Sequence, residues 1–235
     1  MITSPLSNGV NVLLVHGAWA DGSCWSKVIL LLQEKGHTVT AAQIPLTSLE
    51  NDIEVTRRLL SEQTQPTVLV GHSYGGAVIT GAATTTPQVK ALVYITAFGL
   101  DEGESLESLA NQGPPSPGST SIQPDAHGFL WINRETFHKS FAGDVTVDEA
   151  SVMAAVQKPL GLPAFSGKET TPAWKTIPSW YLVCTEDQMI PPPAQEFLAN
   201  RMNATVRHAP SSHCPFISHP QAVADLIALA ADSVS

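Results

Sequence analysis

Apolar residues in this chain fall into short unbroken runs, separated by longer stretches in which they recur every three or four positions. Residues 10–16 (VNVLLVH), 67–71 (TVLVG), 91–98 (ALVYITAF) and 179–184 (SWYLVC) lack the polar alternation of a half-exposed strand. They read as strands buried on both faces. Residues 37–44, closed by Pro45, and a short run at 204–208 add a second and a sixth strand. Between them the spacing predicts helices over 26–35, stopped by Gly36, and over 48–63, with Ile53, Leu59 and Leu60 on the apolar side. Further helices are predicted from Ser73 onward, over 192–202 and over 220–231. Buried strands alternating with helices predict a doubly wound, mostly parallel α/β sheet.

One region breaks that rhythm. Residues 99–178 hold 8 of the 18 prolines, a Gly113-Pro114-Pro115-Ser116-Pro117-Gly118 segment, and Phe129, Trp131, Phe137, Phe141, Phe165 and Trp174. About 80 residues is far too long for a plain connection between a strand and a helix. The aromatic residues require a packed structure, so the expectation is a cap inserted at 99–178 into a core formed by 1–98 and 179–235. Phe129 and Trp131 are expected to wall the pocket beneath it.

Composition narrows the function classes. The 235 residues are 43% hydrophobic and only 14% charged, which excludes a disordered chain. No run reaches the ~18 apolar residues of a membrane span; the longest, near 222–231, is interrupted by Asp225. Twelve Lys+Arg against 21 Asp+Glu leave a net charge of -9, which repels phosphate backbones and argues against nucleic acid and anionic membranes as partners. Three cysteines, Cys24, Cys184 and Cys214, are an odd and sparse set that predicts neither a disulfide framework nor a zinc site. The first ten residues lack a basic n-region, and the cytoplasm is the expected compartment. A homodimer is one of the assembly states the sequence leaves open.

Gly71-His72-Ser73-Tyr74-Gly75 matches G-x-S-x-G and sits between a predicted strand and a predicted helix. In that context the pattern is a nucleophile elbow, a turn so tight that the serine backbone is strained and bulky side chains two residues away would collide. Ser73 is therefore the expected nucleophile. A hydroxyl needs an adjacent base. His213, after the sixth strand and before the last helix, is the expected one; His219, leading into Pro220, is its competitor. The acid that orients the base is expected at a strand end before the histidine. Asp187, in the loop after 179–184, fits; Glu186 and Asp101 are the alternatives. Oxyanion donors are expected from the N–H of Tyr74 and, in the loop after the first strand, the N–H of Ala18, with Gly17 allowing the sharp turn. His16 and His72 read as structural hydrogen-bonding residues, and Cys184 and Cys214 as buried thiols. No phosphate loop, dinucleotide motif or metal-spaced cluster occurs, so no cofactor and no metal are expected.

These motifs, with Glu186-Asp187-Gln188-Met189-Ile190-Pro191-Pro192, Ser212-His213 and Trp25 downstream of His16-Gly17-Ala18, resemble the α/β-hydrolase family over essentially the whole chain. More narrowly they are similar to its small-esterase branch, which includes plant methyl-salicylate and methyl-jasmonate esterases, bacterial EstC-like esterases and plant hydroxynitrile lyases. The resemblance implies a triad at Ser73, Asp187 and His213, oxyanion donors at Ala18 and Tyr74, and a small-molecule ester or lactone as substrate. The lyases carry a threonine where Gly17 stands and a lysine where Cys214 stands, so the chain departs from the lyase pattern at both points. Lyase chemistry with the same triad and a non-catalytic receptor are the alternative functions.

Overall fold

A computed structural model describes residues 9–234; the expectation drawn from the first ten residues therefore lies mostly outside the described residues. Six strands form one sheet: β1 (Asn11–Val15), β2 (Thr38–Ala41), β3 (Thr67–Ser73), β4 (Val89–Ala97), β8 (Ser179–Cys184) and β9 (Thr205–Ala209). Their order is β2-β1-β3-β4-β8-β9, and every neighbouring pair is parallel. Every residue of β3 and β8 is buried, as is all of β4 but Lys90, whereas β2 and β9 at the two edges are largely exposed or half-buried. The unbroken apolar runs mark the strands whose two faces are both covered by helices.

The covering helices are α1 (Ser26–Glu34), α2 (Leu49–Ser61), α3 (Tyr74–Ala82), α8 (Pro192–Arg201) and α10 (Pro220–Asp232), with a short α9 (Pro215–Ser218) before the last. Two predicted segments shrink. The second strand covers only Thr38–Ala41, because the chain beyond it turns away and the N–H of Ile44 is taken by Nε2 of His16 at 3.2 Å instead of by a strand. The predicted helix over 48–63 is α2, capped by Ser48, whose hydroxyl accepts from Asn51 N–H at 3.2 Å. Its buried stripe is Leu49, Asp52, Thr56 and Leu60; Ile53 and Leu59 are half-buried. Two polar residues occupy the inner face because they have partners there, which hydropathy does not register.

Residues 99–178 contribute no strand to the large sheet. They carry α4 (Leu106–Ala110), α5 (Phe137–Phe141), α6 (Val147–Val156), α7 (Leu162–Ser166) and a separate antiparallel sheet of β5 (Ile122–Pro124), β6 (Phe129–Ile132) and β7 (Leu160–Gly161). In β6 the two-residue period buries Leu130 and Ile132 and leaves Phe129 and Trp131 half-buried. Trp131 donates its indole N–H to Asp125 at 2.9 Å, on its own hairpin. The rings expected to wall a pocket therefore share the half-buried face of this small sheet, as the pleat requires. The fully buried rings of the segment are Phe137 and Phe141.

This segment is fastened to loops at the carboxyl ends of the large sheet. The carbonyl of Lys158 accepts from Trp19 N–H at 3.0 Å, and Gly161 N–H donates to Leu46 O at 2.8 Å. Gly118 N–H donates to Gln188 O at 2.8 Å, and the indole N–H of Trp19 donates to Leu130 O at 2.8 Å. No helix among the described residues is long and apolar enough to cross a membrane.

Candidate active site

The strand–helix junction places Ser73 between β3 and α3 with φ 51° and ψ −120°. A non-glycine residue held there stores roughly 1–3 kcal/mol of strain. Two glycines make the junction sterically feasible. A Cβ at Gly71 would lie 2.5 Å from the carbonyl oxygen of Gly75, and one at Gly75 would lie 2.6 Å from the carbonyl of Val15. A Cβ at Gly17 would come within 2.8 Å of both Ser73 Cβ and His72 Nδ1, so the loop after β1 passes directly beside the serine.

His213 lies in the loop between β9 and α9, and Asp187 in the turn after β8. The structure joins them: His213 Nδ1 is 2.6 Å from Asp187 Oδ2, with both side chains essentially fully buried. Asp187 does not cap α8. Its Oδ1 instead accepts from the N–H groups of Met189 (2.7 Å) and Ile190 (3.1 Å) in its own turn. Its Oδ2 also accepts from Gln195 Nε2 at 3.3 Å and from the Thr96 hydroxyl. Four neighbours thus hold one carboxylate in a single orientation toward the imidazole.

Thr96 was not marked by the sequence. It sits where the β3–β4 register slips, between His72↔Ile95 and Ser73↔Ala97, and it has φ 39°. The extra residue is bulged out of the pairing, which aims its hydroxyl across at Asp187. An apolar run containing one threonine carries no sign of a bulge.

The other ring nitrogen of His213, Nε2, is buried and has no hydrogen-bond partner among the described residues. Among the described residues the Ser73 hydroxyl forms no hydrogen bond, and Ser73 as a whole is 4% exposed. The serine and the imidazole are brought to the same place by His72, the residue before Ser73. Its Nε2 donates to the carbonyl of His213 at 2.8 Å, and the two rings are 4.7 Å apart. Burial pushes the His72 pKa well below its ordinary value, which keeps this ring neutral. His16 is likewise neutral, its pKa lowered by burial to about 4. It accepts from Ile44 N–H through Nε2, and its Nδ1 is 2.8 Å from the Gly17 carbonyl, which it therefore serves as donor.

Two peptide groups converge beside Ser73 with their carbonyls tied down. The peptide between Gly17 and Ala18 is held at its oxygen by His16 Nδ1; the peptide between Ser73 and Tyr74 is held at its oxygen by Phe98 N–H at 3.1 Å. Their N–H groups, on Ala18 and Tyr74, have no acceptor among the described residues. The remaining candidates fall outside this cluster. Asp101 pairs with Lys175 on the surface at 2.5 Å, and that ammonium lowers its pKa. Glu186 is exposed. His219 lies 3.5 Å from Asp144 and bonds to Ser218. Burial raises the thiol pKa values of Cys184 and Cys214, and the Cys214 thiol donates to Phe141 O at 3.4 Å. All three cysteines are free. The Phe141 ring stands edge-on to His213 at 5.0 Å. Among the described residues no group of three His, Cys, Asp or Glu side chains is placed to hold a metal ion.

A strained serine on a strand–helix elbow of a parallel six-stranded sheet, beside a buried Asp–His pair, defines an α/β-hydrolase. Residues 12–226 match the model of the alpha/beta hydrolase family, and the chain belongs to that family. It is 27% identical over 251 residues to a pyrethroid hydrolase of Sphingobium wenxiniae, an alignment covering 95% of this chain and 88% of that one. It is 25% identical over 255 residues to Methylesterase 2 of Arabidopsis thaliana, covering 94% and 95%. The crystal structure of a pyrethroid hydrolase from Sphingobium faniae superposes with a TM-score of 0.85 at 26% identity, covering 96% and 98%. These relatives belong to the small-esterase branch, and the chain is a carboxylic-ester hydrolase of that kind.

Proposed function

We propose that the protein is a serine esterase that cleaves small to medium apolar carboxylic esters or lactones through an acyl-enzyme, with Ser73 as nucleophile, His213 as base and Asp187 as its orienting acid. The observation that carries this reading is the buried 2.6 Å bond between Asp187 and His213 Nδ1, which leaves Nε2 of the same ring buried and without a partner among the described residues. His213 takes the Ser73 proton as the hydroxyl attacks the ester carbonyl, and Asp187 stabilises the imidazolium. The N–H groups of Ala18 and Tyr74 receive the oxyanion; their anchored carbonyls mean that little reorganisation is needed when charge develops. His213 then protonates the departing alcohol and activates the water that releases the acid.

Residues 99–178 serve in this reading as the cap that excludes water from the site, supported by their bonds to Trp19, Leu46 and Gln188. The buried Phe141 ring set against His213 favours uncharged acyl groups. Three free thiols support residence in the cytoplasm.

The test is a p-nitrophenyl ester assay combined with a fluorophosphonate probe. Wild type releases a burst of coloured phenol and is labelled at Ser73; Ser73→Ala lowers kcat by roughly 10⁴-fold or more while the melting temperature stays put. Labelling that survives Ser73→Ala overturns the assignment. Cyanide release from mandelonitrile without ester turnover would identify a lyase instead, and pocket binding without either would identify a receptor.

A further inference from the structure

Asp52 is an acid that the proposed reaction does not use, yet it is fully buried on the inner stripe of α2. A carboxylate in an apolar interior persists only where donors compensate its lost hydration. Asp52 has two. Its Oδ2 accepts from the phenol of Tyr74 at 2.6 Å, and its Oδ1 accepts from Leu46 N–H at 2.9 Å. Tyr74 is also fully buried and is the first residue of α3, so its ring is attached to the peptide whose N–H stands beside Ser73. A short bond at the far end of that ring fixes the tilt of the peptide at its near end.

The second donor leads to the other half of the same device. Leu46 holds a left-handed backbone, φ 62°, which a bulky side chain keeps only when its surroundings enforce it. Two residues earlier, Ile44 N–H donates to His16, and His16 in turn holds the Gly17 carbonyl of the peptide that presents Ala18 N–H. One short loop, 44–46, therefore braces both peptides: Ile44 through His16, and Leu46 through Asp52 and Tyr74. The insertion grips this loop as well, with the Lys158 ammonium on the Ile44 carbonyl and Gly161 N–H on the Leu46 carbonyl.

We propose that Asp52 is a positioning residue for the oxyanion site: through the Tyr74 phenol and the 44–46 loop it sets the Tyr74 N–H relative to the Ala18 N–H and ties both to the seating of residues 99–178. This inference rests on the serine-esterase reading, because it takes those two N–H groups as oxyanion donors. Asp52 touches no reacting atom, so its effect belongs in transition-state stabilisation and not in substrate binding.

The test compares Asp52→Ala, Asp52→Asn and Tyr74→Phe with wild type on one p-nitrophenyl ester, alongside the inhibition constant of an aryl trifluoromethyl ketone, which forms a tetrahedral oxyanion on the serine. Losing an oxyanion donor outright costs about 10²–10³ in kcat, so a misaligned one should cost about 10–100-fold. Asp52→Ala and Tyr74→Phe are each expected to lower kcat by that amount with KM within about twofold, and to weaken the ketone in proportion. The double variant should be no worse than the worse single, because both break one strut. Asp52→Asn, whose amide oxygen can still accept from one of the two donors, should recover part of the loss. Kcat and ketone affinity unchanged in folded Asp52→Asn and Tyr74→Phe would overturn the proposal, as would losses confined to KM or strictly additive losses in the double variant. If Asp52→Ala does not fold, those two variants and their combination carry the same decision. Wild type that fails to react with fluorophosphonate at Ser73 would instead refute the esterase reading on which this one stands.

Discussion

The sheet region and the insertion are built by different means, and the difference explains where precision resides in this molecule. In the six-stranded sheet β3 and β8 are buried on every residue, and each is pinned in register by parallel neighbours on both sides. The groups proposed for the reaction all hang from strand ends of this sheet: Ser73 from β3, Asp187 from the turn after β8, His213 from the loop after the edge strand β9. The insertion has short helices and a three-stranded sheet whose last strand is two residues long. It meets the site through backbone bonds to Trp19, Leu46 and Gln188 and through one ring, Phe141, set against His213. Rigid strands hold atoms to fractions of an ångström, while a segment assembled from short elements can change shape with little effect on that geometry. The sheet should therefore decide whether an ester is cleaved, and the insertion which ester.

The sharpest way to break this division is to ask which region supplies the acid. Asp187→Asn should leave the fold intact but present His213 in the wrong tautomer, lowering kcat about 10⁴-fold. Asp101→Asn, in the insertion, should change kcat less than about twofold, since it removes only a surface pair with Lys175. Steady-state kinetics on the two purified variants decide the matter, and a crippled Asp101→Asn would mean that the insertion carries part of the catalytic machinery.

Phe141 is the place where the two regions overlap. It is 1% exposed and packs on Phe137 at 5.1 Å and Trp19 at 6.1 Å as well as on His213. Phe141→Ala should cost about 3–5 kcal/mol of stability through the cavity it leaves and should also reorder preference among acyl chain lengths. A urea titration together with a graded ester panel reads both. Lost stability with an unchanged ranking would make Phe141 core and nothing more.

Acid should loosen the sheet side first. His16 has its pKa lowered to about 4 from 6.5, so the folded state binds fewer protons than the unfolded chain between those values. Its contribution is fully present above pH 6.5 and is lost as the pH falls toward 4, amounting to about 3 kcal/mol. His72, whose pKa burial also lowers, acts in the same sense. Asp52, raised by burial to about 6, acts in the opposite one, its ionised form being the costly state. The useful quantity is therefore the difference in urea midpoint between pH 7 and pH 5 in wild type against His16→Gln. That drop should shrink in the variant; an equal drop would assign acid lability elsewhere.

The smallest effect is expected at Trp131. Half-buried on β6 and bonded to Asp125 of its own hairpin, it should tolerate alanine with less than about 1 kcal/mol lost and a smaller change in acyl ranking than Phe141→Ala causes. A ranking shifted as far in Trp131→Ala as in Phe141→Ala would show that the pocket extends through the small sheet.

Much of the sheet region was legible before any coordinates. A buried parallel strand has no polar face, so its sequence is an uninterrupted apolar run whatever the neighbouring strands are. An elbow needs Gly71 and Gly75 because the backbone leaves no room for a Cβ, as the 2.5 and 2.6 Å approaches show. The insertion was legible only as an interruption. Its elements are too short for periodicity to declare itself, and aromatic content alone does not distinguish Phe141, fully buried against His213, from Trp131, half-buried and bonded within its own hairpin.

What the sequence by itself determined, then, was the parallel α/β architecture, and it marked Ser73, Asp187 and His213 as candidates at strand ends, because each follows from local constraints: strand hydropathy, turn sterics and the order of strand ends. The tertiary structure alone decided which polar residues are brought together across long stretches of chain. Asp52 sits on what reads as the apolar stripe of α2, 22 residues before its partner Tyr74. Thr96 reaches Asp187 across 91 residues through a bulge. Neither leaves a local trace, since a buried polar side chain is tolerated only by virtue of the partner that satisfies it, and that partner is supplied by the fold.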